Sequence, residues 1–110
     1  MGMELAFDTI QLRNWCEDPN KLLGSMKPKV VEQLKHRLAD IRAANSPLDL
    51  LAGSPRLLDG KPARVVLRLA DGYVLNCVVN HNTPRVDDTG KTDWSRVRRL
   101  RVTSIREASR

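Results

Sequence analysis

Cysteine and long apolar runs are scarce in this chain, and each shortage removes a class of protein. Only two cysteines, Cys16 and Cys77, occur in 110 residues, far apart and with no CxxC or Cys/His pairing around them. That argues against a zinc site and a disulfide framework and fits a reducing cytoplasm. No segment approaches eighteen consecutive apolar residues, and the opening MGMELAFDTI holds no stretch long enough for a signal peptide, so a soluble, cytoplasmic chain is expected, with no membrane association. No carboxylate cluster points to a metal-dependent nuclease, and no metal is expected. The stretch DDTGK, residues 87–91, lacks the remaining glycine and the Lys-Ser/Thr ending of a phosphate loop. No small-molecule cofactor is expected.

Positive charge is abundant and unevenly placed. Residues 1–55 carry seven Lys/Arg and seven Asp/Glu, whereas residues 56–110 carry twelve and six, so the whole net charge of +6 belongs to the second half. A basic half beside a neutral one suggests a face that meets an anion, such as nucleic acid or an acidic partner. The closing run SRVRRLRVTSIREASR contains Arg96, Arg98, Arg99, Arg101, Arg106 and Arg110. It reads either as a phosphate-gripping surface or as a solvated edge that keeps a strand soluble.

The order of elements is that of a small α+β fold in one domain, residues 1–110: an N-terminal strand and two helices packed on an antiparallel sheet. MELAF is short and apolar enough for the first strand. Asp8 with Gln11 has the spacing of a helix start, and Pro19 stops that helix. Pro28 suits the first turn of a second helix. There Val30, Val31, Leu34, Leu38 and Ile41 form one apolar stripe, while Lys29, Glu32, His36 and Asp40 face away. His36 on that polar side reads as solvated. Ser46 and Pro47 open a short capped turn.

After residue 55 the period becomes strand-like. ARVVLRLA-DG-YVLNCVVN is a hairpin signal, because Asp-Gly suits a two-residue type I′ turn. That turn places Ala70 opposite Tyr73, Leu69 opposite Val74 and Arg68 opposite Leu75. One face then carries Val65, Leu67, Leu69, Val74 and Val78, broken only by Asn76. The other carries Arg64, Val66, Arg68, Tyr73, Leu75, Cys77 and Val79. In the last strand Leu100 and Val102 point to the core, and Arg99, Arg101 and Thr103 point away. Arg98 and Arg106 fall near the sheet ends. Arg64, Arg68, Arg99 and Arg101 are therefore expected on one open face together with Tyr73, the only tyrosine.

The stretch HNTPRVDDTGKTDWSRV is a polar loop of a length that is usually functional or mobile. Trp94 reads as the anchor of this loop more than as a base-stacking platform, and His81 at its start is a weak candidate proton carrier.

Taken in order, LRNWCEDPNKLL, LGSMKPKVVEQLKHRLADIRAANSPLDL, RLLDGK, GYVLN and DTGKTDWSRVRRLRVTSIRE resemble the RelE/ParE toxin superfamily, and within it the HigB-like branch of plasmid-maintenance toxins. The resemblance covers nearly the whole chain. It implies a growth-inhibiting toxin neutralised by a cognate helix-turn-helix antitoxin. It further implies an endoribonuclease that cleaves mRNA on the ribosome with basic and aromatic residues of the open sheet face. Carried onto this chain, Arg68, Tyr73 and Arg101 become the candidate catalytic residues, and Arg56, Lys61, Arg64 and Arg99 the candidate RNA-binding ones. Three positions depart from the family pattern. Asp59 stands where a lysine is usual, Val74 where an arginine follows the tyrosine, and Glu107-Ala108-Ser109 where an acidic residue, tyrosine and histidine close the chain. Arg68 is the expected substitute for the arginine missing at Val74. The alternative is a protein that grips the ribosome, RNA or DNA gyrase through the same face without cutting.

Overall fold

The computed structural model describes residues 2–83 and 85–108; Ser109 and Arg110 of the closing run lie outside the described residues. Among the described residues the strands are β1 (Glu4–Phe7), β2 (Arg56–Leu58), β3 (Arg64–Arg68), β4 (Tyr73–Val79) and β5 (Arg99–Glu107), and the α-helices are α1 (Ile10–Glu17) and α2 (Pro28–Ala43). The sheet order is β1-β5-β4-β3-β2. β2 through β5 pair antiparallel, but β1 lies parallel to β5, so the sheet is mixed rather than purely antiparallel. β1 and its parallel partner β5 are joined by the two helices and the β2–β4 strands, well beyond the crossover length that a parallel pair requires. The architecture is an α+β domain consistent with a RelE-like fold.

Local chemistry explains the helices. Thr9, not Asp8, caps α1, its Oγ1 accepting from the Leu12 backbone N–H at 3.1 Å. The helix ends at Glu17, and Pro19 begins a 3-10 turn over Pro19–Leu22. Pro28 occupies the first turn of α2, where its missing N–H costs nothing. The stripe of Val30, Val31, Leu34, Leu38 and Ile41 is fully buried against the sheet. His36 stays exposed beside Glu32, as its position on the polar face predicts. No helix among the described residues is long and apolar enough to cross a membrane.

The helix-side face of the sheet is built in rows. Leu57, Val65, Cys77, Val102 and Phe7 are neighbours across all five strands, and Leu67, Leu75 and Ile105 form the next row. All of them belong to the core or pack against it. Cys16 and Cys77 are free buried thiols. Burial pushes Cys16 up to about 11 against the opposing pull of Arg42, and burial pushes Cys77 up to about 12. Neither is a nucleophile at neutral pH.

The β3–β4 register corrects the sequence expectation by one residue. Arg68 pairs with Val74, Leu67 with Leu75 and Val65 with Cys77. The loop holds three residues, Ala70–Gly72, closed by the Leu69 N–H donating to the Tyr73 carbonyl at 2.8 Å. Asp71 and Gly72 both have positive φ, at 55° and 77°, as an Asp-Gly pair allows. Asp71 is also drawn toward Lys27 and Lys29 at 3.7 and 3.4 Å, which ties the turn to the start of α2. Because side chains alternate, one step of register turns all of β4 over. The physical reason is Asn76. The two-residue turn would bury its amide under the helices, an expensive placement for an unpaired polar group. In the observed register Asn76 lies on the open face and donates to Ser104 Oγ at 2.9 Å.

Candidate nucleic-acid interface

The face turned away from the helices carries the arginines, again in rows. Arg68, Val74 and Arg106 are direct cross-strand neighbours at one end. Next come Arg56, Val66, Asn76 and Ser104, then Leu58, Arg64, Val78, Arg101 and Ala6, and finally Arg99 beside Glu4. Successive rows are two residues apart along a strand, about 6.8 Å. Cationic side chains at that interval suit a single-stranded nucleic-acid backbone, whose consecutive phosphates are similarly spaced.

Of the residues expected here, Arg56, Arg64, Arg68, Arg99 and Arg101 do share the open face. Tyr73 does not. It lies on the helix side, opposite Glu107, and packs against the core. The expected Arg68–Tyr73 pair is therefore split across the two sides of the sheet. The register that removes Tyr73 places Val74 directly between Arg68 and Arg106. The position where the resemblance puts an arginine is thus flanked by two. Lys61 is also absent from this face; it lines a groove at the far end of the sheet.

Arg106 is the residue that strand alternation misplaces. The pairing shifts between Asn76 and Cys77, which oppose Ser104 and Val102, so Thr103 is an extra residue in β5. This bulge turns Ile105 into the core and brings Arg106 out with Arg99 and Arg101. A signal was present: Leu100, Val102 and Ile105 break strict alternation at Thr103-Ser104.

The face divides electrostatically. Arg99 Nε lies 3.1 Å from Glu4 Oε2, and Arg101 is paired with Asp8. Both acids come from β1 and its end, so the parallel strand neutralises this edge. Arg56, Arg64, Arg68 and Arg106 have no carboxylate partner among the described residues, which leaves free positive charge on the other half. The strand face has no histidine, lysine or tyrosine among the described residues, and Glu4 and Asp8 are occupied by arginines. A side chain ready to accept a proton is missing from it.

The long loop is ordered by its aspartates. Asp87 Oδ1 accepts from the Thr89 N–H at 2.8 Å, from Thr89 Oγ1 at 2.6 Å and from the Lys91 N–H at 3.2 Å. The Asp87 N–H donates to the Lys91 carbonyl at 2.8 Å and the Gly90 N–H to the Asp87 carbonyl at 3.0 Å, so the turn is closed on itself. The bonds from Thr89 and Lys91 hold the Asp87 carboxyl below its usual range. Trp94 is half-buried against the core, an anchor as expected.

His81 also serves the loop. Its Nε2 accepts the Arg98 backbone N–H at 2.9 Å, so the neutral ring carries its proton on Nδ1. Burial lowers its pKa, helped by Arg85, Arg99 and Arg98. The folded state therefore binds this proton less readily than the unfolded chain. The stabilisation is complete above the ordinary value of 6.5 and is lost as pH falls through the lower folded value. Unfolding followed from about pH 8 to about pH 5.5 should show wild type losing more stability on the acid side than His81→Gln. Parallel curves would remove this role.

Set against protein families, curated proteins and solved structures, the chain finds no match in any of the three comparisons.

Proposed function

We propose that this chain is a growth-inhibiting toxin of the RelE/ParE kind that binds single-stranded RNA, in the first place mRNA on the ribosome, through the open sheet face. The observation that carries the reading is the row arrangement of Arg56, Arg64, Arg68 and Arg106, free of carboxylate partners among the described residues, on a surface the helices leave uncovered. The cognate partner is a helix-turn-helix antitoxin that covers the arginines with an acidic segment or blocks ribosome docking from the helix side. Co-expression with the protein encoded beside it should yield a tight complex, and harmless accumulation of this chain alone would refute the toxin reading.

RNA binding on four phosphates should weaken with salt at a log–log slope of roughly −2.8, about −0.7 for each contact. The ion pair between Arg101 and Asp8 competes with that binding. Asp8→Asn keeps the shape and removes the charge, so it should tighten RNA binding about three- to tenfold at low salt and steepen the slope by about 0.7. Filter binding across a salt series measures both, and unchanged affinity would leave Arg101 outside the interface.

A second reading, cleavage of the bound RNA, is favoured by the flanking of Val74 by Arg68 and Arg106. Two guanidiniums converging on one phosphate stabilise the charge that builds when the 2′-oxygen attacks. The face offers no proton acceptor among the described residues, so the ribosome or solvent would take the 2′-hydroxyl proton and supply one to the departing 5′-oxygen. Primer extension on a reporter transcript after induction separates the two. Discrete new 5′ ends that require translation establish cleavage; growth arrest with intact transcripts establishes binding alone.

A further inference from the structure

A groove of about 540 Å³ opens at the end of the sheet, between the turn that follows β2 and the first half of the long loop. It is separate from the rows of the open face. Its walls are apolar, from Pro62, Val79 and Val86, and its cationic groups are Lys61, Arg85 and Lys91. Its one acid, Asp59, is committed: its Oδ1 accepts the Thr92 N–H at 2.9 Å, and hydrogen bonding from the Thr92 side chain, then from this N–H, holds its carboxyl below the usual range. The two sides of the groove are thereby clasped together across 33 residues of chain. The loop side is a short hairpin, with Val86 bridged to Thr92, the Asp87 N–H donating to the Lys91 carbonyl and the Asp93 N–H to the Arg85 carbonyl, both at 2.8 Å. The groove is therefore a formed cavity rather than a gap in a loose loop. Its volume is in the range of small-ligand sites.

We propose that this groove binds a nucleotide, with the base against Pro62, Val79 and Val86 and the phosphate among Lys61, Arg85 and Lys91. An apolar slot beside three cations matches a ligand that is flat and uncharged at one end and multiply anionic at the other. His81 lines the same groove. With Nε2 held by the Arg98 amide, it has only Nδ1–H to offer, a donor suited to a base carbonyl or ring nitrogen. The ligand is either a free nucleotide or one nucleotide of a bound strand, and only the second alternative rests on the RNA reading of the sheet face.

Titration of the full chain with adenosine 5′-monophosphate, followed by amide NMR, tests this directly. Shifts are expected at Ala63, Val79, His81, Val86 and Thr92, with adenosine and inorganic phosphate each binding at least about tenfold more weakly. Lys61→Ala and Arg85→Ala should each weaken binding about tenfold, and Val86→Trp, which fills the slot, should abolish it. Arg68→Ala should leave it unchanged. The amide spectrum away from the groove shows whether each variant is folded, and the two charge deletions decide the matter if Val86→Trp is not. Shifts elsewhere, equal binding of inorganic phosphate, or indifference to Lys61→Ala and Arg85→Ala would overturn the proposal. A labelled single-stranded RNA distinguishes the sources. If the groove variants weaken RNA binding too, the site holds a nucleotide of the strand; if only adenosine monophosphate is affected, it serves a free nucleotide. Loss of the salt-dependent RNA binding with adenosine monophosphate binding intact would count against the sheet-face reading alone.

Discussion

Replacing Arg68 and Arg106 together by alanine is expected to weaken single-stranded RNA binding about a hundredfold, with each single change costing about tenfold. The two residues sit on β3 and β5 as the immediate neighbours of Val74 on β4. Two strand spacings separate their backbones by roughly 9.6 Å, close enough for two extended guanidiniums to meet over the valine. If they grip the same phosphate, a double-mutant cycle will show a coupling of about 0.5 kcal/mol or more; independent phosphates would give simple additivity. The salt slope should fall by about 0.7 for each lost contact. Should the protein also cut, each single change would slow cleavage on programmed ribosomes by about a hundred- to a thousandfold. Tyr73→Phe makes the contrast, because Tyr73 is on the other side of the sheet and should leave RNA binding unaltered. Both arginines are exposed strand residues, so stability should hardly move. An Arg68→Ala, Arg106→Ala protein that binds RNA as wild type does would return the whole row to a solvating role.

The second large effect concerns the register that creates this row. Leu75→Ala should destabilise the fold by about 2–5 kcal/mol, whereas Val74→Ala, one residue earlier, should cost about 1 kcal/mol or less. Leu75 is fully buried, facing Leu67 on one side and Ile105 on the other beneath the helices. Truncating it removes contacts that close-packed neighbours cannot recover. Val74 is on the open face and partly exposed, and its loss leaves no internal cavity. Urea unfolding of the two variants measures the difference. The reverse ranking would restore the two-residue turn, and with it Tyr73 beside Arg68.

The neutralised edge has a functional consequence. Glu4 lies on the first strand and Asp8 directly after it, and they engage Arg99 and Arg101 on the last. These pairs are largely solvent-exposed, and such pairs contribute little to stability. Their effect lies in the field above the sheet, because they confine unpaired charge to β2, β3 and the end of β5. On the proposed reading, RNA crosses that half, which is also where Val74 and its flanking arginines lie.

Much of this was determined by the sequence alone. The 3.6-residue stripe from Val30 to Ile41 could bury itself only as one face of a helix, and Pro19 and Pro28 bound their helices through missing N–H groups and a fixed φ. The charge imbalance placed the basic surface in the second half before any fold was known. These features depend on neighbours along the chain, where spacing and chemistry are visible. The parallel placement of β1, the short strand β2 and the face on which each β4 side chain emerges were decided only in three dimensions. An Asp-Gly pair accommodates a two- or a three-residue hairpin, and the choice between them inverts every side chain that follows. The penalty for burying Asn76, the ties from Asp71 to Lys27 and Lys29, and the fit of Leu75 and Cys77 beneath the helices select the longer loop. In the same way Ile105 enters the core only because Thr103 bulges, and that step brings Arg106 to the open face. A strand's period of two is local, but its phase is set by what the sheet packs against.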